Sequence, residues 1–306
     1  WRTPPFQAVR DGDWLYGRGS GDMKAGLVAI VGAVLGLRRL GLAPLASVQL
    51  QSVVEEECGG NGALQCVLSG LRPDAAVIAE PFPGLIPTYQ VGVLWFQVDV
   101  AGTPAHVAVA QDGFNAIEAS FAIVEELHAL EDELNEAPPP PFDSLAHPIN
   151  LNVGVLSGGD WPSTVAAECT LSCRIAHYPG TPVAELRRLV EEAVARSTAA
   201  SAYLTEHPPV VRYDGLSCEG SFLAEDEPIV QAVSRAWETV AGSPAVTGPT
   251  TATTDVRAFI ASGIPAACIG PHAERIHGVD ERVSVSPVVQ TAQVLALLVR
   301  DWCGLA

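Results

Sequence analysis

Residues 15–26 read LYGRGSGDMKAG. Glycines at 17, 19 and 21 let the backbone turn through conformations that residues with a Cβ resist. From Lys24 to Leu40 the apolar residues follow a helical pattern, which Gly41 and Pro44 close. The chain therefore has to turn tightly, carry Asp22 at the N-terminal end of a helix, and cover most of that helix with other elements. An aspartate so placed has two uses. It can cap the helix by accepting from a free backbone N–H, or it can ligate a metal ion at the rim of a sheet. The run by itself leaves both open.

Composition narrows the field. With 48% apolar and 17% charged residues in 306, the chain can bury a core as one large domain or two moderate ones, and disorder is not expected. A net charge of −18 argues against nucleic acid or an anionic membrane as partner. No apolar run reaches transmembrane length without a Gly, Pro or charge, and no signal peptide is visible. The seven cysteines are odd in number, form no CxxC pair and sit mostly in apolar contexts. They indicate buried thiols in a reducing, cytoplasmic compartment rather than a disulfide framework.

Two textures alternate along the chain. Ser47–Val54 and Ala75–Ala79 read as strands of near-continuous apolar character, with a short helix at Asn61–Leu68 between them. That order predicts a parallel sheet covered on both faces. Over part of Val91–Val100 the pattern alternates instead, as in a half-exposed strand. A helix over 113–136, strands at 150–156 and 164–176, a helix over 182–199 and a last strand at 210–213 follow. The order β-α-β-β-α-β is that of a small open sandwich with an antiparallel sheet. Helix and buried strand return with 228–240, 266–269 and 287–302. The expected fold is α/β: a mainly parallel catalytic domain formed by 1–90 and 214–306, split by an inserted α+β domain at 91–213.

In an open parallel sheet, ligands gather beyond the carboxyl ends of the strands. One predicted strand ends in Glu55-Glu56-Glu57, one in Glu80, and one runs into a loop that reaches His277. Mixed carboxylate and imidazole donors suit zinc, manganese or cobalt. With adjacent Glu56 and Glu57, one can hold metal while the other takes a proton from water. Each residue also has a plainer use. The glutamates can be a solvated strand end, Glu80 an ordinary strand exit before Pro81, and His277 a surface histidine. The Gly17-x-Gly19 pair lacks the third glycine of a dinucleotide loop, Ser20 is not flanked as in a nucleophile elbow, and no GxxxxGK[ST] or HExxH occurs.

Five segments in order, LYGRGSGDMKAG, VVEEECGGNGAL, VIAEP, AGTPAHVAVAQDGFNAIEA and TTDVRAFIASGIPAACIGPHAERIHGVDERV, resemble the M20 metallopeptidase and deacylase family, which includes acetylornithine deacetylase, succinyl-diaminopimelate desuccinylase and aminoacylases. With NVGVLSGGD at 152–160 they span nearly the whole chain. The resemblance implies that Asp22 bridges two divalent ions, zinc before cobalt or manganese. Glu57 and His277 would complete one site, Glu80 would belong to the other, and Glu56 would be the general base. It further implies that His106, in the inserted domain, reaches across a homodimer to the scissile carbonyl or its oxyanion. Asn152 and Arg174 would face the substrate, Arg174 as a carboxylate clamp. A cis peptide is expected at Asp22-Met23. His106 can equally be a plain hairpin residue and Arg174 a strand-edge ion-pair former.

One departure stands out. The family's His-x-Asp motif precedes its Gly-Arg-Gly segment by a few dozen residues, and no His-x-Asp occurs in the first twenty residues here, which begin at Trp1. Part of the site is expected upstream of this chain. Metal occupancy and turnover are therefore expected to be reduced in the chain as given. The function implied is a metal-dependent amidohydrolase that removes an N-acyl group from an amino acid or small amine. A di- or carboxypeptidase on the same scaffold is the alternative substrate class. A metal-deficient truncated scaffold or binding protein is the non-enzymatic alternative.

Overall fold

The computed structural model describes residues 1–199 and 201–306. The chain forms two compact units, one of 1–89, 221–249 and 254–306, the other of 90–220 and 250–253. The first unit opens with the hairpin β1 (Val9–Asp11) and β2 (Trp14–Tyr16), a five-residue turn at Ser20–Lys24, and α1 (Ala25–Arg39). It continues through α2 (Asn61–Leu68), β3 (Ala76–Ile78) and β4 (Leu85–Gln90). The second unit runs β5 (Gly92–Ala101), α3 (Ala116–Asn135), β6 (Leu151–Gly158), β7 (Glu168–His177), α4 (Val183–Thr198), α5 (Ala202–Glu206), β8 (Val210–Arg212) and β9 (Ser217–Cys218). The chain then returns to the first unit as β10 (Ser221–Phe222), α6 (Pro228–Ala241), β11 (Val246–Thr250), α7 (Val256–Ile260), β12 (Ala266–Cys268), β13 (Ala273–Glu274), β14 (Arg282–Ser284) and α8 (Val285–Cys303).

Small residues at helical spacing decide how the first unit packs. Ala25, Ala29, Ala33 and Leu37 form the buried face of α1, and Ala29 and Ala33 share a core with Val294, Leu295 and Leu298 of α8, Val230 and Val233 of α6, and Ala267. Gly26 lies against the Ala79 carbonyl, where a Cβ has no room. This close approach brings the start of α1 to the end of β3. The stretch Ser20–Arg39 is long and apolar enough, by length and composition, to cross a membrane. Here one face of it is buried in the first unit while Val28, Val31 and Leu35 are exposed, and Asp22 and Lys24 stand in its leading turn.

β3 and β12 pair in parallel, Ala76 with Ala266 and Ile78 with Cys268. Their carboxyl ends therefore share one edge, where Glu80 follows the first strand and the loop to His277 follows the second. A four-stranded sheet, ordered β1-β2-β14-β13 and antiparallel throughout, returns that loop to the Ser20–Lys24 turn. The strand predicted over Ser47–Val54 is not formed. An apolar run becomes a strand only when its N–H and C=O groups find a ladder, and none of the described strands pairs with it. Residues 46–51 and 53 instead line a groove of about 680 Å³ together with Leu27, Ile30, Leu295 and Leu298.

In the second unit β6, β7, β5 and β8 form an antiparallel sheet in that order, with β9 also pairing with β5. Period-two burial puts Leu94, Phe96, Val98, Leu171, Cys173 and Ile175 on the covered face, and Ile123, Leu127 and Leu130 are the large apolar residues that α3 buries. The carboxylate of Glu131, on α3, accepts from the Leu151 amide at 2.7 Å and meets His147 Nε2 at 3.2 Å and His128 Nδ1 at 2.9 Å. Burial pushes this carboxyl up, but the Leu151 amide and the two imidazoles prevail and hold it below its ordinary value. A depressed carboxylate stabilises the fold above its unfolded pKa, and that contribution is lost as pH falls through the folded value. Glu131→Gln is therefore expected to lower stability by about 1–3 kcal/mol at neutral pH, with the deficit shrinking below about pH 4. Urea unfolding of both proteins at the two pH values measures this; an equal deficit at both would contradict it.

Candidate metal centre

Three side chains from distant parts of the first unit converge. His277 Nε2 lies 3.1 Å from Asp22 Oδ2 and 3.1 Å from Glu57 Oε1. One donor atom from each of the three falls within 4.8 Å of the other two. Asp22 is presented by the turn before α1, where its own backbone is extended (φ −117°, ψ 100°) and its peptide bond to Met23 is cis. Glu57 sits in the turn before α2, which the amides of Cys58, Gly59 and Gly60 close onto the Glu55 carbonyl. His277 lies in the loop between β13 and β14, at φ +60°.

Further carboxylates crowd around these three. Glu80, 5% exposed at the end of β3, is pushed up to about 9 by burial and then by Asp22, Glu56, Glu57 and Asp255. Glu56 is pushed up to about 7 by burial and Asp255, against the opposing pull of Arg257. Burial and the Glu57 charge raise Asp22, and burial raises Asp255. Burial alone would depress the His277 imidazole, but Glu57 and Asp22 outweigh it and its pKa stands above the ordinary value. Asp255 Oδ1 and Arg257 Nη2 are 3.7 Å apart, beyond hydrogen-bond range, and both are buried without a hydrogen-bond partner among the described residues. This donor set fits a divalent cation. Two carboxylate oxygens and an imidazole nitrogen converge, the surplus of negative charge is what a cation relieves, and oxygen and nitrogen donors suit zinc, manganese or cobalt.

Asp22, Glu56, Glu57, Glu80 and His277 thus lie in one neighbourhood of the first unit, with Glu56 and Glu80 outside the triplet. Asp255 and Arg257 join them from the head of α7 and were given no role by sequence reasoning. The signal was the Thr-Thr-Asp-Val-Arg run, which reads locally as a helix start. The other three predicted site residues belong to the second unit. His106 is exposed and caps a 3₁₀ turn at Val107–Asp112, with Nδ1 accepting from the Ala108 amide at 3.1 Å. A neutral ring bonded in this way carries its proton on Nε2. Asn152 and Arg174 stand directly opposite each other in the β6–β7 pair, and so share a face of the sheet. Arg174 Nη1 donates to the Asn150 carbonyl at 3.3 Å, and burial lowers its pKa.

The sequence pattern of peptidase family M20/M25/M40 matches residues 1–301. The chain belongs to this family. Its members are metal-dependent hydrolases of amide bonds. The chain is 28% identical over 329 aligned positions to an N-formyl-4-amino-5-aminomethyl-2-methylpyrimidine deformylase of Halalkalibacterium halodurans, covering 100% of this chain and 75% of that protein. It is 27% identical over 312 positions to the acetylornithine deacetylase of Edwardsiella ictaluri, covering 99% and 76%. Among solved structures, the dipeptidase Dug1p of Saccharomyces cerevisiae superposes with a TM-score of 0.78 at 14% identity, over 99% of this chain and 76% of that one. Human carnosine dipeptidase 1 gives 0.74 at 16% identity, over 99% and 77%. At such identities the two superpositions speak to the fold.

For this M20 chain the glycine turn is as demanding as the ligands it carries. A Cβ on Gly21 would stand 2.7 Å from Ala273 Cβ and 3.2 Å from Ile276 Cγ2, in the strand and loop that lead to His277. Gly21→Ala is expected to cost about 1–3 kcal/mol through overpacking. Gly248→Ala, where a Cβ meets nothing within 4 Å, is expected to stay within about 0.5 kcal/mol of the parent. Thermal unfolding of the two variants checks this, and a Gly21→Ala protein as stable as the parent would contradict it.

Proposed function

We propose that the chain is a deacylase that hydrolyses the amide bond of an N-acyl amino acid or N-acyl small amine. The observation that carries this reading is the convergence of Asp22, Glu57 and His277 on one point, with Glu56 beside them but outside the ligand triplet. The sequence likeness to a deformylase and a deacetylase over the whole chain supports it. In this reading Asp22 would be held in common by two divalent ions, Glu57 and His277 would serve one and Glu80 the other, with zinc the first candidate and cobalt or manganese next. Such ions, when bound, supply Lewis acidity that polarises the amide carbonyl and makes a water more acidic.

The chain's own residues do the rest. Glu56 takes the proton from the attacking water as the new C–O bond forms, and returns it to the amine nitrogen as the C–N bond breaks. His106 donates its Nε2–H to the developing oxyanion. We place it in the site of a second copy of the chain, within a homodimer formed through the second unit. Its exposure and the Nδ1 bond to Ala108 suit that part. Arg174, with Asn152 beside it, holds a substrate carboxylate by paired hydrogen bonds. The cytoplasm is the proposed location, in keeping with seven free cysteines.

Two measurements test the reading. Glu56→Ala is expected to retain metal while its turnover falls about 10²–10⁴-fold; normal metal content together with normal turnover would remove Glu56 from the mechanism. A panel of N-formyl and N-acetyl amino acids and amines, set against dipeptides, is expected to show turnover of the acyl compounds. Faster turnover of dipeptides would make the chain a peptidase, and no metal uptake with excess zinc or manganese would make it a scaffold.

A further inference from the structure

Glu281 has no part in the chemistry above, yet its side chain is 1% exposed and every acceptor position on it is used. Oε1 accepts from the amides of Gly21 at 2.9 Å and Asp22 at 3.0 Å. Oε2 accepts from the amide of Gly19 at 2.8 Å and from Arg18 Nη1 at 2.8 Å. The backbone carbonyl of Glu281 accepts from the Gly17 amide at 3.1 Å. Arg18 closes the loop in the other direction, with Nη2 donating to the Gly278 carbonyl at 2.7 Å and reaching the His277 carbonyl at 3.5 Å. An ionised carboxylate offers about four lone-pair sites, and here N–H donors fill all four.

These bonds join two segments that are far apart in sequence. One is the 17–22 turn, which ends in Asp22; the other is the 277–281 loop, which begins at His277. Three N–H groups of the turn, those of Gly19, Gly21 and Asp22, point at a single carboxylate because Gly19 adopts φ +76° and Gly21 has no Cβ to collide with Ala273. Such an array of inward-pointing amides is an anion nest, and the protein fills it with its own side chain.

We propose that Glu281 is a positioning residue that docks the glycine turn onto the His277 loop, so that Asp22 and His277 already converge before any ion arrives. This rests on the metal-binding role proposed above for Asp22 and His277. Glu281 touches no reacting atom and acts through the backbone of its neighbours. Glutamine at this place keeps one acceptor and turns an NH₂ donor toward inward-pointing donors, so it cannot satisfy the turn.

The test uses the metal-stripped full chain and its Glu281→Gln, Glu281→Asp, Arg18→Gln and Glu274→Gln variants. Zinc affinity is read by competition with a chromogenic chelator, and amide hydrogen exchange at Gly19, Gly21 and Asp22 is read without metal. Glu281→Gln is expected to bind zinc about 10–100-fold more weakly and to exchange those three amides faster. Glu274→Gln, which loses a pair with Arg282 at 2.6 Å that makes no hydrogen bond to the turn, is expected to change neither reading. Wild-type zinc affinity in a folded Glu281→Gln protein would overturn the proposal, even if its melting temperature fell. Should Glu281→Gln not fold, Glu281→Asp decides: its carboxylate, one methylene shorter, cannot hold the three amides together, and undiminished zinc affinity in it would overturn the proposal. Arg18→Gln, which keeps the three amide bonds, is expected to lose less affinity than Glu281→Asp. A wild-type chain that takes up no zinc would instead overturn the metal reading on which this one rests.

Discussion

Repulsion between carboxylates is the constraint around which the first unit is arranged. Burial is the leading cause that raises Asp22, Glu56, Glu80 and Asp255, and neighbouring carboxylates push Asp22, Glu56 and Glu80 up further. Two like charges about 4 Å apart repel by roughly 4 kcal/mol at the effective dielectric of a protein near its surface. A fold of marginal stability does not gather such groups for packing alone. The convergence of two of them, Asp22 and Glu57, on the His277 imidazole is the arrangement a divalent cation stabilises, and family membership supplies the matching chemistry.

The surrounding fold holds that repulsion in place by close backbone approaches and dense hydrogen bonding. Gly26 lets the start of α1 touch the end of β3, so that the turn bearing Asp22 and the strand exit bearing Glu80 become neighbours. The parallel β3–β12 pair sends both strands to one edge. Gly60, at φ +71°, leaves room for the Asp255 and Arg257 side chains beside the turn that carries Glu57. On the opposite side the amides of Gly19, Gly21 and Asp22 bind the 277–281 loop through one carboxylate. Ligand placement thus depends on residues that never contact an ion.

Much of this was legible in the sequence, for definite reasons. The Asn61–Leu68 helix and the long helix at the chain's end declare themselves by period and flanking residues. The β-α-β-β-α-β order of the second unit follows from the partial alternation of its first strand and the succession of apolar runs and helical segments after it. The strand expected at Ser47–Val54 failed because apolar pattern is a local property and a ladder partner is not. Strands β1, β2, β13 and β14 are two or three residues long, too short to carry a period, yet they align the His277 loop with the Asp22 turn. Asp22, Glu57 and His277 stood out as candidates because each sits in a turn or loop beside glycine or acid, and the family resemblance then singled them out as ligands. Asp255, Arg257 and Glu281 did not, since their neighbours in sequence say nothing about partners some 200 to 260 positions away.

The central claim is that Asp22, Glu57 and His277 hold a divalent ion. A crystal of the zinc-loaded chain, measured on both sides of the zinc absorption edge, tests it most directly. The account predicts an anomalous peak within coordinating distance, about 2.0–2.2 Å, of His277 Nε2 and of one carboxylate oxygen each from Asp22 and Glu57. A peak elsewhere, or none at these residues with zinc in excess, would contradict it.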